Sequence, residues 1–275
     1  MAFNFNVAKQ GIVLANSHRG YSTQYPENTM PAFIAALEAG THSIEIDIAM
    51  TADEQIVVIH DPSIDRVSTG TGYVEQMTLA ELRQYDYGIK FDPKFANTPI
   101  PELREVLRWA VENEVGLVVE AKQRRQHQRF AEVLAALLNE TQAVDNILLL
   151  GFDHVLINRV KDLIPEIKLQ VVTLARYHKQ LEAVQGSNAS SACVEYHYVT
   201  KEDLIAYKQA GIITRLYLHE AKNGIPPTQA YNEKYGYDAE SEIIEWLREG
   251  LIDMLSQDDI PYLKSLIERA GKTAY

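Results

Sequence analysis

Cysteine is all but absent from this sequence: Cys193 is the only one in 275 residues. One thiol excludes a disulfide framework and any cysteine-rich zinc site, and it reads as a small core residue. Long apolar runs are missing too. Nothing approaches the roughly 18 consecutive apolar residues of a membrane span, so no stable membrane insertion is expected. Residues 1–10 lack a basic segment followed by an apolar run, which predicts no signal peptide and a cytoplasmic protein. Bases are in deficit: 26 Lys and Arg stand against 38 Asp and Glu, a formal charge of −12. That sign argues against nucleic-acid or anionic-membrane partners, which need a basic surface. The deficit is uneven. Residues 238–259 hold eight acids against one base, Arg248, whereas residues 122–129 carry four bases and no acid.

What is present is a steady alternation of short β-type runs with amphipathic helical ones. Candidate strands are 12–17, 43–49, 56–60, 116–121, 147–151, 168–173, 193–197, 212–218 and 251–256. Helical spacing of apolar residues marks 30–39, closed by Gly40, and 103–114, 130–139 and 202–210. Thr200 and Asp203 are spaced to cap the last of these. Nine strands are one too many for a closed eight-stranded barrel. Only residues 51–55 separate the second strand from the third, and a parallel crossover needs about a dozen. Strand 56–60 must therefore form a hairpin with its predecessor, leaving eight strands spaced for a (β/α)8 TIM barrel. Residues 1–275 read as one such domain, with 61–101 as a small insertion subdomain after the hairpin strand ending in His60. That insertion carries the turn-rich run 68–72 and a capping-box pair, Thr78 and Glu81. Residues 219–236, with Pro226-Pro227 and Tyr231 and Tyr235, read as a long polar loop, the kind that serves as a lid or binding loop.

Ionisable residues collect where successive apolar β-runs end. The first run ends in His18-Arg19-Gly20. The second carries Glu45-Ile46-Asp47, whose carboxylates share one face while Ile44, Ile46 and Ile48 take the other. The hairpin ends in His60-Asp61-Pro62 and the next strand in Glu120-Ala121-Lys122. A solvated turn explains His-Arg-Gly alone, and an ion pair explains Glu120 and Lys122 alone. Neither explains the convergence on the strand ends that form the catalytic face of such a barrel. Two acids side by side also need a positive group between them. Three carboxylates without paired thiols make a hard oxygen site, suited to one divalent cation, Mg²⁺ or Ca²⁺. Glu45, Asp47 and Glu120 (−3), the cation (+2) and Arg19 with Lys122 (+2) total +1, which one phosphodiester neutralises. Two histidines titrating near neutrality can supply an acid and a base. Phosphodiester cleavage fits this set.

The same residues, read with Pro26-Glu27-Asn28-Thr29, Thr51-x-Asp53, Asp65-Arg66 and Gly70-Thr71-Gly72, resemble the glycerophosphodiester phosphodiesterase family, in order and spacing, over the first ~120 residues. The resemblance implies a (β/α)8 barrel with a small insertion. It implies Glu45, Asp47 and Glu120 as metal ligands, His18 and His60 as the acid–base pair, and Arg19 and Lys122 as phosphate-binding groups. Asn28 or Thr29 would cap the first helix.

The second half departs from the family pattern. The usual Trp-Thr-Val-Asn is Tyr217-Leu218-His219-Glu220, the late Thr-Asp-x-Pro is Ser256-Gln257-Asp258-Asp259, and the Ser before Phe152 is Gly151. Tyr217, His219 and Phe152 are thus candidates for the substrate pocket. The implied substrate is a small-molecule glycerophosphodiester, split to a glycerol phosphate and an alcohol. An enzyme on a lysophospholipid or sugar phosphodiester would use the same groups, and a catalytically silent glycerol-phosphate-binding barrel would keep the metal site. A glycosidase would not need His18, His60 and Lys122 together. The other histidines have no carboxylate at ligand spacing in the sequence. The basic run Arg124, Arg125, His127 and Arg129 either draws anions to the barrel mouth or is a solvated helix turn.

Overall fold

A computed structural model describes residues 2–219 and 224–275. The elements are β1 (Ile12–His18), α1 (Met30–Glu38), β2 (Ser43–Met50), β3 (Ile56–Val58), α2 (Leu79–Leu82), α3 (Leu103–Glu112), β4 (Gly116–Ala121), α4 (His127–Thr141), β5 (Ile147–Gly151), α5 (His154–Leu163), β6 (Lys168–Val172), α6 (Gln180–Gln185), β7 (Ser191–Glu195), α7 (Lys201–Gln209), β8 (Ile213–Tyr217), α8 (Pro227–Tyr235), α9 (Ala239–Arg248), β9 (Met254–Gln257), α10 (Ile260–Arg269) and β10 (Thr273–Ala274). Parallel pairing runs β1–β2–β4–β5–β6–β7–β8–β9, and β9 returns to β1, closing an eight-stranded (β/α)8 barrel. No helix among the described residues is long and apolar enough to cross a membrane.

Alternation along the strands builds two cores. Ile44, Ile46 and Ile48 of β2 are buried outside the barrel with Phe33, Leu103 and Leu107 of the helices. The inward positions form layers. At the N-terminal end of the strands, Leu14, Val118, Leu148, Cys193 and Met254 pack with Phe3, Phe5 and Val7, which puts Cys193 in the core as its sequence context suggests. Above them lies a buried polar belt. Asn16 donates to Ser43, Ser256 to Asn16, Arg215 to Ser256 and Gln170, and Gln170 to Ser191. Each polar atom used here is matched across strands, as a buried polar group requires.

The hairpin forms as its short connection demands, with β3 antiparallel to β2. It ends at Val58, not residue 60. β1 already occupies the edge of β2 as far as Glu45, so β3 can pair only beyond that point. The ladder makes one more bond, from Ile59 N–H to the Asp47 carbonyl (2.8 Å), and His60 projects just past it. Within 61–101, the Thr78–Glu81 capping box opens α2, and Ile64, Val74, Leu82, Tyr87 and Ile100 share a separate apolar cluster with Ala49 and Val57.

Two of these sequence readings need correction, and one strand escaped them. β7 lies at Ser191–Glu195, two residues earlier than expected, because Ser191 turns inward to the polar belt and residues 196–198 coil into a 3₁₀ turn. The stretch 219–236 is not all loop. Pro227 occupies the first turn of helix α8, where proline is well tolerated, and Thr228 and Tyr231 are buried on it. Glu220 lies outside the described residues. β10, a two-residue strand on the outer end of β1, has too short a pattern to be seen in sequence.

Candidate active site

Pairing register brings the predicted residues together at the C-terminal ends of the strands. His18 stands opposite Glu45, and Asp47 opposite Glu120. Ligand oxygens of Glu45, Asp47 and Glu120 can all lie within 4.8 Å of one another, and all three residues are buried. The positive groups their repulsion demands are present. Lys122 Nζ lies 2.5 Å from Glu120 Oε1 and 3.3 Å from Asp47 Oδ1, and Arg19 Nε lies 3.3 Å from Asp47 Oδ2.

The carboxylates respond differently to this setting. Burial, then the Asp47 charge, pushes Glu120 up to about 7 and raises Glu45. Burial would raise Asp47 as well, but the nearby Lys122 and Arg19 cations outweigh it and hold that group below the usual range. Asp47 Oδ1 is buried and accepts no hydrogen bond. Lys122 and Arg19 offset part of the charge, but an oxygen without a hydrogen bond beside two carboxylates of raised proton affinity leaves the donor set able to take more positive charge. It fits one hard divalent cation held by Glu45, Asp47 and Glu120.

Both histidines are oriented alike. His18 Nδ1 lies 2.7 Å from Asp258 Oδ1, and its Nε2 is 3.9 Å from Glu45 Oε2. His60 Nδ1 lies 2.7 Å from Asp61 Oδ1. A carboxylate on Nδ1 fixes the tautomer and leaves Nε2 for chemistry. For His18, burial pulls the pKa down, but Glu45 and Asp258 more than reverse it, so the net direction is up.

Asp258 thus has a role its sequence context conceals, since the match to the late family motif fails around it. The expected capping role of Asn28 is also wrong. Asn28 adopts a left-handed backbone (φ 55°), donates to Asp47 Oδ2 (2.8 Å) and accepts from Asp47 N–H (3.2 Å). Thr29 does occupy the N-cap position of α1, but its hydroxyl accepts from no helix N–H and instead donates to the Pro26 carbonyl. A chain of ion pairs then runs outward. Arg19 donates to Glu27 (3.0 Å), and Arg66 bonds both Glu27 and Asp61.

The candidate pocket residues line the same mouth. The Tyr217 ring is edge-on to His18, with centroids 5.1 Å apart, and His219 follows at 5.5 Å. His219 does have a carboxylate partner: Glu195 Oε2, 3.2 Å away on neighbouring β7, a contact that spacing along the chain does not reveal. Phe152 is half exposed, with Lys122 Nζ 5.6 Å from its ring centre. Of the basic run after Lys122, Arg129 is engaged by Glu54 and Glu132, which favours the solvated-turn reading for it.

The site places three acids, two Asp-held imidazoles and two cations at the C-terminal mouth of a (β/α)8 barrel. Residues 18–260 match the model of the Glycerophosphoryl diester phosphodiesterase family, and the chain belongs to that family. It is 36% identical over 157 residues to a glycerophosphodiester phosphodiesterase of Caldanaerobacter subterraneus subsp. tengcongensis; the match covers 57% of this chain and 65% of that protein, less than two thirds of its length. It is 32% identical over 165 residues to a Bacillus altitudinis glycerophosphodiester phosphodiesterase, covering 59% of this chain and 67% of the other. In fold it is similar to an Oleispira antarctica phosphodiesterase whose structure holds the product sn-glycerol-3-phosphate. The TM-score is 0.80 at 22% identity, over 95% of this chain and 99% of that one.

Proposed function

We propose that the chain hydrolyses a small glycerophosphodiester to a glycerol phosphate and an alcohol. The observation that carries this reading is the pair of imidazoles, each held through Nδ1 by an aspartate, at the same strand ends as the carboxylate cluster, Arg19 and Lys122. Glu45, Asp47 and Glu120 would hold one Mg²⁺ or Ca²⁺, which when bound supplies a Lewis acid for a phosphoryl oxygen. Arg19 and Lys122 bind the remaining phosphate oxygens and oppose the charge that builds in the transition state. One imidazole takes the proton from the attacking oxygen, and the other gives a proton to the departing alkoxide. Tyr217, His219 and Phe152 face the alcohol. Family membership and the product-bound fold relative support the substrate class.

The test is a panel of glycerol, inositol and sugar phosphodiesters with Mg²⁺, Ca²⁺, Mn²⁺ or chelator, identifying the alcohol released. Turnover of a glycerophosphodiester that chelator abolishes is expected. Failure on every diester with every cation would refute the reading.

A further inference from the structure

Arg66 sits outside the cluster of acids, in the segment 61–101, yet its guanidinium touches both arms of the site. Its Nε donates to Asp61 Oδ2 at 2.6 Å, and Asp61 holds His60 through its other oxygen. Its Nη1 and Nη2 donate to the two oxygens of Glu27 at 2.6 and 2.7 Å, and Glu27 in turn holds Arg19. We propose that Arg66 is a positioning residue, whose three-point bridge sets the His60 imidazole against the Arg19 guanidinium that grips the phosphate. What those two arms do rests on the phosphodiesterase reading; that one guanidinium fixes their relative placement does not.

Such a bridge has work to do here. His60 lies past the end of β3, on a chain that has left the barrel, whereas Arg19 leads directly from barrel strand β1. A planar fork can bond two carboxylates at once in fixed directions; an ammonium is a single point of charge and cannot reproduce that geometry. The Arg66 hydrogen bond, with burial opposing it, also holds the Asp61 carboxyl down at about 2. Asp61 therefore stays an acceptor for His60 Nδ1 even as pH falls below the ordinary aspartate range. Nearly half of the Arg66 side chain is exposed (48%), and ion pairs this open contribute little to stability. A purely structural role would therefore leave a strong effect on turnover unexplained.

The experiment compares Arg66→Met and Arg66→Lys, each alone and in an Asp61→Asn background. It reads kcat/KM on the best diester of the panel and the ¹⁵N signals of the His60 ring. Misplacement on the ångström scale costs about 10²-fold in rate, and both single variants are expected to show a loss of that order. In the Asp61→Asn background the same substitutions should add almost nothing, since an amide has a single acceptor oxygen and cannot hold His60 Nδ1 and Arg66 Nε together. The His60 ring should pass from one tautomer, protonated at Nδ1, to a mixture. Wild-type rates in Arg66→Lys would show that charge alone suffices and overturn the proposal. So would an equal further loss in the Asp61→Asn background, or unchanged His60 ring signals. The ring signals need no turnover, so an inactive wild-type chain would count against the phosphodiesterase reading while the bridge was still being tested.

Discussion

At the scale of single residues, the site is a set of acceptors and donors in which almost every group has an assigned neighbour. His18 and His60 are each fixed by one aspartate, so on the proposed mechanism replacing either imidazole removes one proton-transfer step, and for the buried His18 also a ring packed on Tyr217. His18→Ala and His60→Ala should each lose ~10²–10⁴-fold in kcat while retaining the wild-type circular dichroism spectrum. Near-normal turnover in both would contradict the assignment. The groups legible in sequence are those whose partners share a strand or register: Glu45 with Asp47, and Glu120 with Lys122, mark themselves by their i, i+2 spacing. Asp258 is hidden because its partner is 240 positions away. Asn28 is misread because its type suits a helix cap, and only the left-handed backbone turns it towards Asp47. Glu195 and His219 meet across strands that sequence shows only as neighbours in order.

At the scale of elements, period-2 patterning and helix caps were informative wherever a run was long. The closed barrel, the hairpin and the α2 and α7 caps follow from such signals. They failed where short-range chemistry outweighed pattern, as in the inward Ser191 of β7 and the polar but partly buried α8. The link between β1 and α1 shows how tightly one element can constrain another. Gly20 has φ +84°, and a Cβ there would lie 2.8 Å from Ala32 Cβ and 2.9 Å from the Ala32 carbonyl carbon. Gly20→Ala must therefore strain the turn and push α1 away. A loss of about 1–3 kcal/mol is expected from urea unfolding, together with reduced activity, because Arg19 precedes this glycine. An unchanged midpoint would show that the turn has slack.

At the scale of the whole molecule, a cation held by the buried acids would link binding to folding. A ligand confined to the folded chain adds about 2.7 kcal/mol at a hundredfold excess over its Kd. Chelator-treated protein should therefore gain Tm on adding Mg²⁺ or Ca²⁺, and Asp47→Asn should gain much less. A wild-type Tm indifferent to both ions in excess would remove the cation from the site. Acid acts through other pairs. Arg66 lowers the Asp61 pKa from 3.8 to about 2, so Asp61 gives up its proton more readily in the folded chain than in the unfolded one. Its contribution is present above about pH 4 and disappears as pH falls towards 2. The stability difference between the wild type and Asp61→Asn, small because the pair is open to solvent, should shrink across that window in urea titrations at stepped pH, and a constant difference would exclude the linkage.

The layer of Phe3, Phe5 and Val7 beneath the strands has a consequence for traffic. Phe3 fits so closely that a Cβ on Gly116 would lie 2.3 Å from its ring, and the Phe3 and Phe5 rings pack edge-on at 4.8 Å. The barrel is stoppered at that end, like a flask. On the proposed hydrolysis, substrate, attacking water and both products would therefore come and go by the mouth at the C-terminal ends of the strands, where the acids and imidazoles stand.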